Sequence, residues 1–339
     1  MRIAQLAPPY LPCPPVGYGG VERVIAELTD ALVDRGHEVT LFAHPASRTR
    51  ARLVSTRLTD RDSFDWQREV VHASESLQQM TDFDVLHNHS TAALPFRRFA
   101  PLPMVTTVHG TTGWEVIRPV YEHAREAAFV SISDSQRRFG VTDLNWIDTV
   151  YNGIDIDRFT LDPRRLDGRN YLLHMATLSE RKGTADAVRI ALATGRRLVI
   201  AGRVDPSDRA FYDAQVAPYV DGDQIRMIGE VDGPQKVELI QGAAAMVLPI
   251  HWEEPFGLVM AEAMACGVPV LVLDRGSARE LVADGVTGFV RTTVDELCEA
   301  VPDLAGLDPY ACRARVVERF SQDTMVDGYL AIYQKLAAT

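Results

Sequence analysis

The chain has 339 residues, 46% of them apolar and 24% charged, which suits two globular domains of about 150 residues each and excludes a disordered protein. Its 35 Lys plus Arg against 46 Asp plus Glu argue against nucleic acid as a partner, while leaving room for a local basic pocket. The cysteines Cys13, Cys266, Cys298 and Cys312 include no CxxC pair, so they offer no zinc or thioredoxin-like motif and are expected as reduced thiols.

The opening MRIAQLAPPY runs directly into a strand and lacks the apolar core and cleavage site of a signal peptide. No stretch approaches the roughly 18 apolar residues of a membrane span, so a cytoplasmic protein without an integral membrane segment is expected. Ile3–Ala7 reads as a buried strand, followed by a glycine loop, Gly17–Gly20, and a helix from Val21 to Asp34. Val24, Leu28 and Ala31–Leu32 share one face of that helix, Gly36 caps its end, and Glu38–Ala43 forms the next strand. Further strands are expected at Val85–Asn88, Met104–His109, Ala128–Ser133 and Trp146–Tyr151. The polar stretch Asp162–Arg169 begins no strand or helix, and the domain junction is placed between Asp155 and Asn170.

Tyr171–Thr177 opens a second series of strands and helices. Helix Ala185–Ala193, strands Arg197–Ala201 and Ile225–Ile228, helix Pro234–Gly242 and strand Ala245–Pro249 follow. Helix Gly257–Ala265 then ends at Gly267, before strand Val268–Asp274. From Pro309 the chain is helical with no further strand. Two successive α/β series predict two Rossmann-like domains, with ligands held in the loops that leave the strands.

The most informative of those loops is HWEEPFGLVMAEAMACGVPVLV, His251–Val272. A strand exits into two carboxylates, and Gly257 then turns the backbone tightly into a helix whose free N–H groups suit a phosphate. Glu254 precedes that helix and Glu262 lies in its second turn, leaning back toward the helix start. Carboxylates repel a diphosphate, so their targets are hydroxyls: Glu254 on a sugar, Glu262 on a ribose. The plainer reading of either acid alone is an exposed side chain stabilising the helix dipole.

The segment EPFGLVMAEAMACGVPV resembles the signature of the retaining glycosyltransferases of family 4, in which two glutamates are separated by seven residues, as Glu254 and Glu262 are here. GGVERVIAELTDALVDRGHEVTLF, DVLHNHS, VTTVHG, YNGIDIDRF, LSERKG, IGEVDG and RGSARELVADGVTGFV resemble further landmarks of that family in the same order. The resemblance implies a GT-B fold: two facing Rossmann-like domains with an inter-domain cleft, over 1–160 (acceptor) and 161–310 (nucleotide-sugar donor). It also implies C-terminal helices over 311–339, the last packing back on the N-terminal domain.

It further implies that Gly19 and Gly20 face the donor phosphates and that His109 stands beside the donor sugar. Lys182 would neutralise the diphosphate, a task that suits a compact ammonium, with the backbone of Phe256, Gly257 and Leu258 as partner. The family's arginine five residues before that lysine is replaced by Thr177, leaving Arg203 and Arg181 as candidates for the second cation, with Arg203 preferred. Gly229, Glu230 and Val231 would meet the nucleobase.

Two Asp-x-Asp triplets, Asp82–Asp84 and Asp155–Asp157, have a metal-binding spacing, but the second lies inside the NGIDIDRF landmark, and no metal or other cofactor is expected. His87 and His89 read as packing and hydrogen-bonding groups. The implied reaction is a front-face substitution moving a hexose from a UDP- or GDP-linked donor to an acceptor hydroxyl. A soluble small molecule or saccharide is the expected acceptor, since few basic residues cluster in Val21–Asp34. A nucleotide-sugar 2-epimerase and a non-catalytic nucleotide-sugar binder remain alternatives. A dinucleotide-dependent oxidoreductase does not, because Gly17-Tyr18-Gly19-Gly20-Val21-Glu22 lacks the third glycine of GxGxxG.

Overall fold

Two all-parallel sheets organise the chain in the computed structural model, which describes residues 1–17, 19–56 and 65–338. Tyr18, inside the expected glycine loop, lies outside the described residues. The first sheet comprises β1 (Arg2–Leu6), β2 (Glu38–Phe42), β3 (Arg52–Val54), β4 (Val85–Asn88), β5 (Met104–Val108), β6 (Ala128–Ser131) and β7 (Trp146–Thr149), in the order β3-β2-β1-β4-β5-β6-β7. Its helices are α1 (Gly20–Asp34), α2 (Trp66–Leu77) and α3 (Arg118–His123).

The second sheet comprises β8 (Tyr171–Met175), β9 (Arg197–Ala201), β10 (Ile225–Gly229), β11 (Ala243–Leu248), β12 (Val270–Leu273) and β13 (Gly288–Arg291), in the order β10-β9-β8-β11-β12-β13. With it go α4 (Thr184–Thr194), α5 (Arg209–Gln215), α6 (Gly233–Gln241), α7 (Leu258–Ala265), α8 (Ala278–Leu281), α9 (Val294–Ala300) and α10 (Pro309–Arg319). The last helix is α11 (Gln322–Ala337). Central strands such as β12, VLVL, are buried at every position, as a parallel sheet covered on both faces requires.

Among the elements not read from the sequence, three show why hydrophobic periodicity fails. The buried face of α2 is largely polar, with Glu69, His72 and Ser76 inside and Val71 outside, so no apolar stripe marks it. β3 is a three-residue edge strand. β13 starts at Gly288, where φ is +154° and a side chain would collide with the Val270 carbonyl. The stretch expected to begin no helix holds a short 3-10 turn, Pro163–Gly168, opened by the Asp162 carboxylate capping the Arg164 N–H at 3.1 Å.

The chain divides into a first unit, Met1–Gly153 with Gln322–Thr339, and a second, Ile154–Ser321. The junction therefore falls before Asp155 rather than after it. Residues just beyond it are tied to the second unit: Ile154 donates to the Phe320 carbonyl at 2.8 Å, and the Arg313 guanidinium holds the carbonyls of Ile156 and Phe159 at 3.0 and 2.8 Å. Arg313 also binds the Ala265 carbonyl at 2.9 Å, which fixes α10 to the end of α7. Of the terminal helices only α11 belongs to the first unit, where Met325, Val326, Tyr329, Ile332 and Tyr333 are buried.

Candidate active site

In the second sheet the chain order reverses between β8 and its neighbour β11, the point where open parallel sheets hold ligands at the carboxyl ends of their strands. Lys182 follows β8 and Glu254 follows β11, and their side chains form an ion pair across that switch point. Both are mostly shielded, with 18% and 13% of their side chains exposed. The Trp252 indole donates to the same carboxylate oxygen of Glu254 at 3.0 Å. The Lys182 ammonium stands 4.8 Å from the centre of the Trp252 ring, and the Arg181 guanidinium 5.5 Å from it.

Three glycines make this arrangement possible. Gly183 (φ +70°) caps the start of α4, and a side chain there would strike the Pro249 carbonyl. Gly257 (φ +83°) turns the chain into α7, whose first turn has no side-chain cap. Gly276 (φ +54°) presses against the backbone of Glu254 so closely that any Cβ would overlap it. Around it, the Gly276 N–H donates to Glu253 at 2.6 Å, the Ser277 N–H to the Glu254 carbonyl at 2.9 Å, and the Ser277 hydroxyl to the Phe256 carbonyl at 2.7 Å. The loop after β12 thus clamps the loop that carries Glu254.

Glu262 is 2% exposed, and Lys236 of α6 meets both its oxygens at 2.7 and 2.6 Å. Each acid of the signature is therefore paired with a lysine. Such a couple offers a sugar or ribose hydroxyl an acceptor and a donor side by side. Phe256 is buried edge-on against Phe320, so only its backbone is available to a ligand, while Leu258 begins α7. Gly229 (φ +75°) ends β10, with Glu230 and Val231 in the loop beyond. Arg203 pairs with Asp205 at 2.8 Å. Its carbonyl accepts from the Leu178 N–H at 2.8 Å, and a side chain on Gly202 would strike the Ala176 carbonyl. The loop holding Arg203 therefore lies directly against buried Thr177, the place of the absent arginine.

The first sheet reverses between β1 and β4. Gly19 (φ +150°) packs against Pro15 at the start of α1, and Glu22 is buried in the first turn. Burial pushes the Glu22 carboxyl up, and its bond to its own backbone N–H opposes the shift. That acid already occupies part of the helix start at Gly19–Gly20. After β4 and β5 stand His89 and His109, whose Nδ1 and Nε2 are 2.8 Å apart. His87 lies between Tyr333 at 2.6 Å and Thr107 at 2.7 Å. Burial lowers all three imidazoles, His109 to about 4.

His87 and His89 are thus hydrogen-bonded groups of the core. In the Asp-x-Asp triplets, Asp84 accepts from the Arg2 N–H and Asp155 from those of Asp157 and Arg158, as turn and strand-end caps do. Lys236 and Trp252 are the two site residues that sequence reasoning missed. Nothing in the spacing singles out Lys236, whereas Trp252 adjoined the acidic loop and its indole N–H was a readable clue.

Two such Rossmann-type sheets fit the GT-B type, and the family models and relatives that match make the chain a glycosyltransferase of that type. Residues 18–158 match the model of Glycosyltransferase Family 4 and residues 157–305 that of Glycosyl transferases group 1. The chain belongs to glycosyltransferase family 4. It is 29% identical to a glycogen synthase of Mycobacterium tuberculosis, over 98% of this chain and 94% of the relative. It is 27% identical to a phosphatidyl-myo-inositol mannosyltransferase of Mycolicibacterium smegmatis, over 95% and 89%. Among solved structures, a glycosyltransferase involved in avilamycin A biosynthesis superposes with a TM-score of 0.74 at 25% identity, over 99% of this chain and 98% of that one. No helix among the described residues is long and apolar enough to cross a membrane.

Proposed function

We propose that this glycosyltransferase moves a hexose from a UDP- or GDP-linked donor to an acceptor hydroxyl with retention of configuration, by front-face substitution and without a metal. The observation that carries this reading is the pairing of Lys182 with Glu254 at the switch point, backed by Lys236 with Glu262. Glu254 binds hydroxyls of the donor sugar, and Glu262, held by Lys236, anchors the ribose. Lys182 moves from Glu254 onto the diphosphate, where the uncapped start of α7 at Phe256, Gly257 and Leu258 adds backbone N–H groups. Arg203 supplies the second cation from beside Thr177, releasing Asp205. Gly229, Glu230 and Val231 meet the base. In the first unit, Gly19 and Gly20 serve the phosphates and His109 the reacting sugar.

The leaving phosphate oxygen takes the acceptor's proton as the new glycosidic bond forms, so no side chain need act as nucleophile. The relatives named above are a glycogen synthase and a lipid mannosyltransferase, which leaves the acceptor class open between them. A soluble saccharide is proposed here. The test is turnover of UDP-glucose and GDP-mannose in the presence of EDTA, with the anomer of the product read by NMR. Slow hydrolysis or transfer giving the retained anomer is expected, and Glu254→Ala should lower turnover at least about 100-fold with the fold intact. A β-glycoside formed by transfer from an α-linked donor would overturn retention, the anomer of a free sugar being scrambled by mutarotation. Absence of turnover with any nucleotide sugar that binds would favour a binding protein, the reading that Thr177 best supports.

A further inference from the structure

His109 is held by a chain of buried polar groups that reaches the last helix of the protein. Its Nε2 meets His89 Nδ1 at 2.8 Å, and His89 Nε2 meets the Gln5 amide oxygen at 2.7 Å. The Gln5 amide nitrogen donates to the Tyr333 hydroxyl at 3.3 Å, and that hydroxyl lies 2.6 Å from His87 Nδ1. His87 Nε2 then meets Thr107 at 2.7 Å, and Thr107 meets Tyr329 at 2.9 Å. Gln5, His87, Tyr329 and Tyr333 are at most 1% exposed, so water does not complete these bonds for them.

Such a chain has only two self-consistent senses, because a neutral imidazole carries one N–H and one lone pair. The Gln5 amide chooses between them, since its oxygen can only accept and its nitrogen can only donate. With the oxygen toward His89, that ring must carry its proton on Nε2 and accept on Nδ1. His109 must then donate from Nε2. Tyr333 accepts from Gln5 and gives its own proton to His87, which donates onward to Thr107. Burial keeps the rings neutral, as the lowered ionisation of His87, His89 and His109 requires.

We infer that Gln5 and Tyr333 are positioning residues that lock His109 as its Nε2–H tautomer, presenting a bare Nδ1 lone pair to a hydroxyl group. Its ligand is thus a hydrogen-bond donor, which a sugar O–H is and a phosphate oxygen is not. The involvement of the reacting sugar rests on the role proposed for His109 above; the tautomer itself does not.

The test uses full-length protein carrying 15N-labelled histidine, with long-range 1H–15N correlation to read which ring nitrogen holds the proton. Wild type should show His109 protonated at Nε2 and bare at Nδ1. In Tyr333→Phe the amide of Gln5 loses its anchor and can turn over, so His109 should become a mixture of tautomers. Gln5→Glu, whose oxygens still accept from His89, should keep the wild-type form. For hydrolysis of UDP-glucose or GDP-mannose, Tyr333→Phe should lower kcat about tenfold with KM held, the mark of a disturbed reacting group. A wild-type His109 protonated at Nδ1, or an unchanged tautomer in folded Tyr333→Phe, would overturn the inference. A mixed tautomer with undiminished kcat would support the lock and overturn the assignment of His109 to the sugar.

Discussion

Trp252 shows how a single side chain can prepare an active site without being part of its signature. Its indole N–H and the Lys182 ammonium share one oxygen of Glu254, while its ring receives Lys182 and Arg181 on its face. Under the proposed mechanism Lys182 turns to the diphosphate, and the indole would then keep Glu254 in place. Trp252→Phe should therefore lower turnover about tenfold while costing only about 1 kcal/mol of stability, the usual worth of one hydrogen bond. Steady-state kinetics beside urea unfolding checks both halves. The missing arginine yields a second test at this scale. Arg203→Ala should raise the donor KM about tenfold or more, and Arg181→Ala should change it less; the opposite order would move the second cation to Arg181. Glu254 and Glu262 could be singled out because they flank a strand-to-helix turn, and Lys182 because its segment resembles a family landmark. Lys236 was not, because its partner lies 26 residues away and only the fold brings the two together.

The loops that carry these residues are shaped by glycines at positive φ, and their failure should be local before it is global. Gly276→Ala would place a Cβ inside the backbone of Glu254, and Gly183→Ala one inside the Pro249 carbonyl. Each should destabilise the fold by about 1–3 kcal/mol, measured as a shift in the urea midpoint. Gly276→Ala should also lower turnover in the molecules that remain folded, because its clamp is on the loop of Glu254 itself. Most strands could be read from their apolar runs, which parallel sheets demand. α2 could not, since Glu69 lies inside it, bound by the Tyr10 and Ser90 hydroxyls at 2.7 and 2.6 Å. A buried face whose acid and imidazole, Glu69 and His72, are hydrogen-bonded looks, in one dimension, like a solvated one.

Across the whole molecule, buried neutral histidines tie stability to acidity. His72 in the first unit and His174 in the second are both pushed down to about 4 by burial. Their unfolded values lie near 6.5, so the unfolded chain binds more protons below that pH. The stability they confer is present above about pH 6.5 and is lost as the pH falls toward 4, up to about 3 kcal/mol for each. Urea midpoints measured from pH 7 to 4.5 should fall accordingly, and His174→Gln should flatten the slope. The two-unit plan was legible in the two α/β series. The return of the last helix to the first unit comes from the family resemblance and not from periodicity, while its exact start after the Ile154–Ser321 bridge shows only in the structure. That return bears on how the protein is made. All of the second unit is synthesised before α11, the helix that closes the first. During synthesis the earlier half must therefore wait, its histidines without their tyrosines, while the later half matures. A released chain truncated after Ser321 should protect the amides of β8–β13 from hydrogen exchange while those of β4 and β5 still exchange quickly.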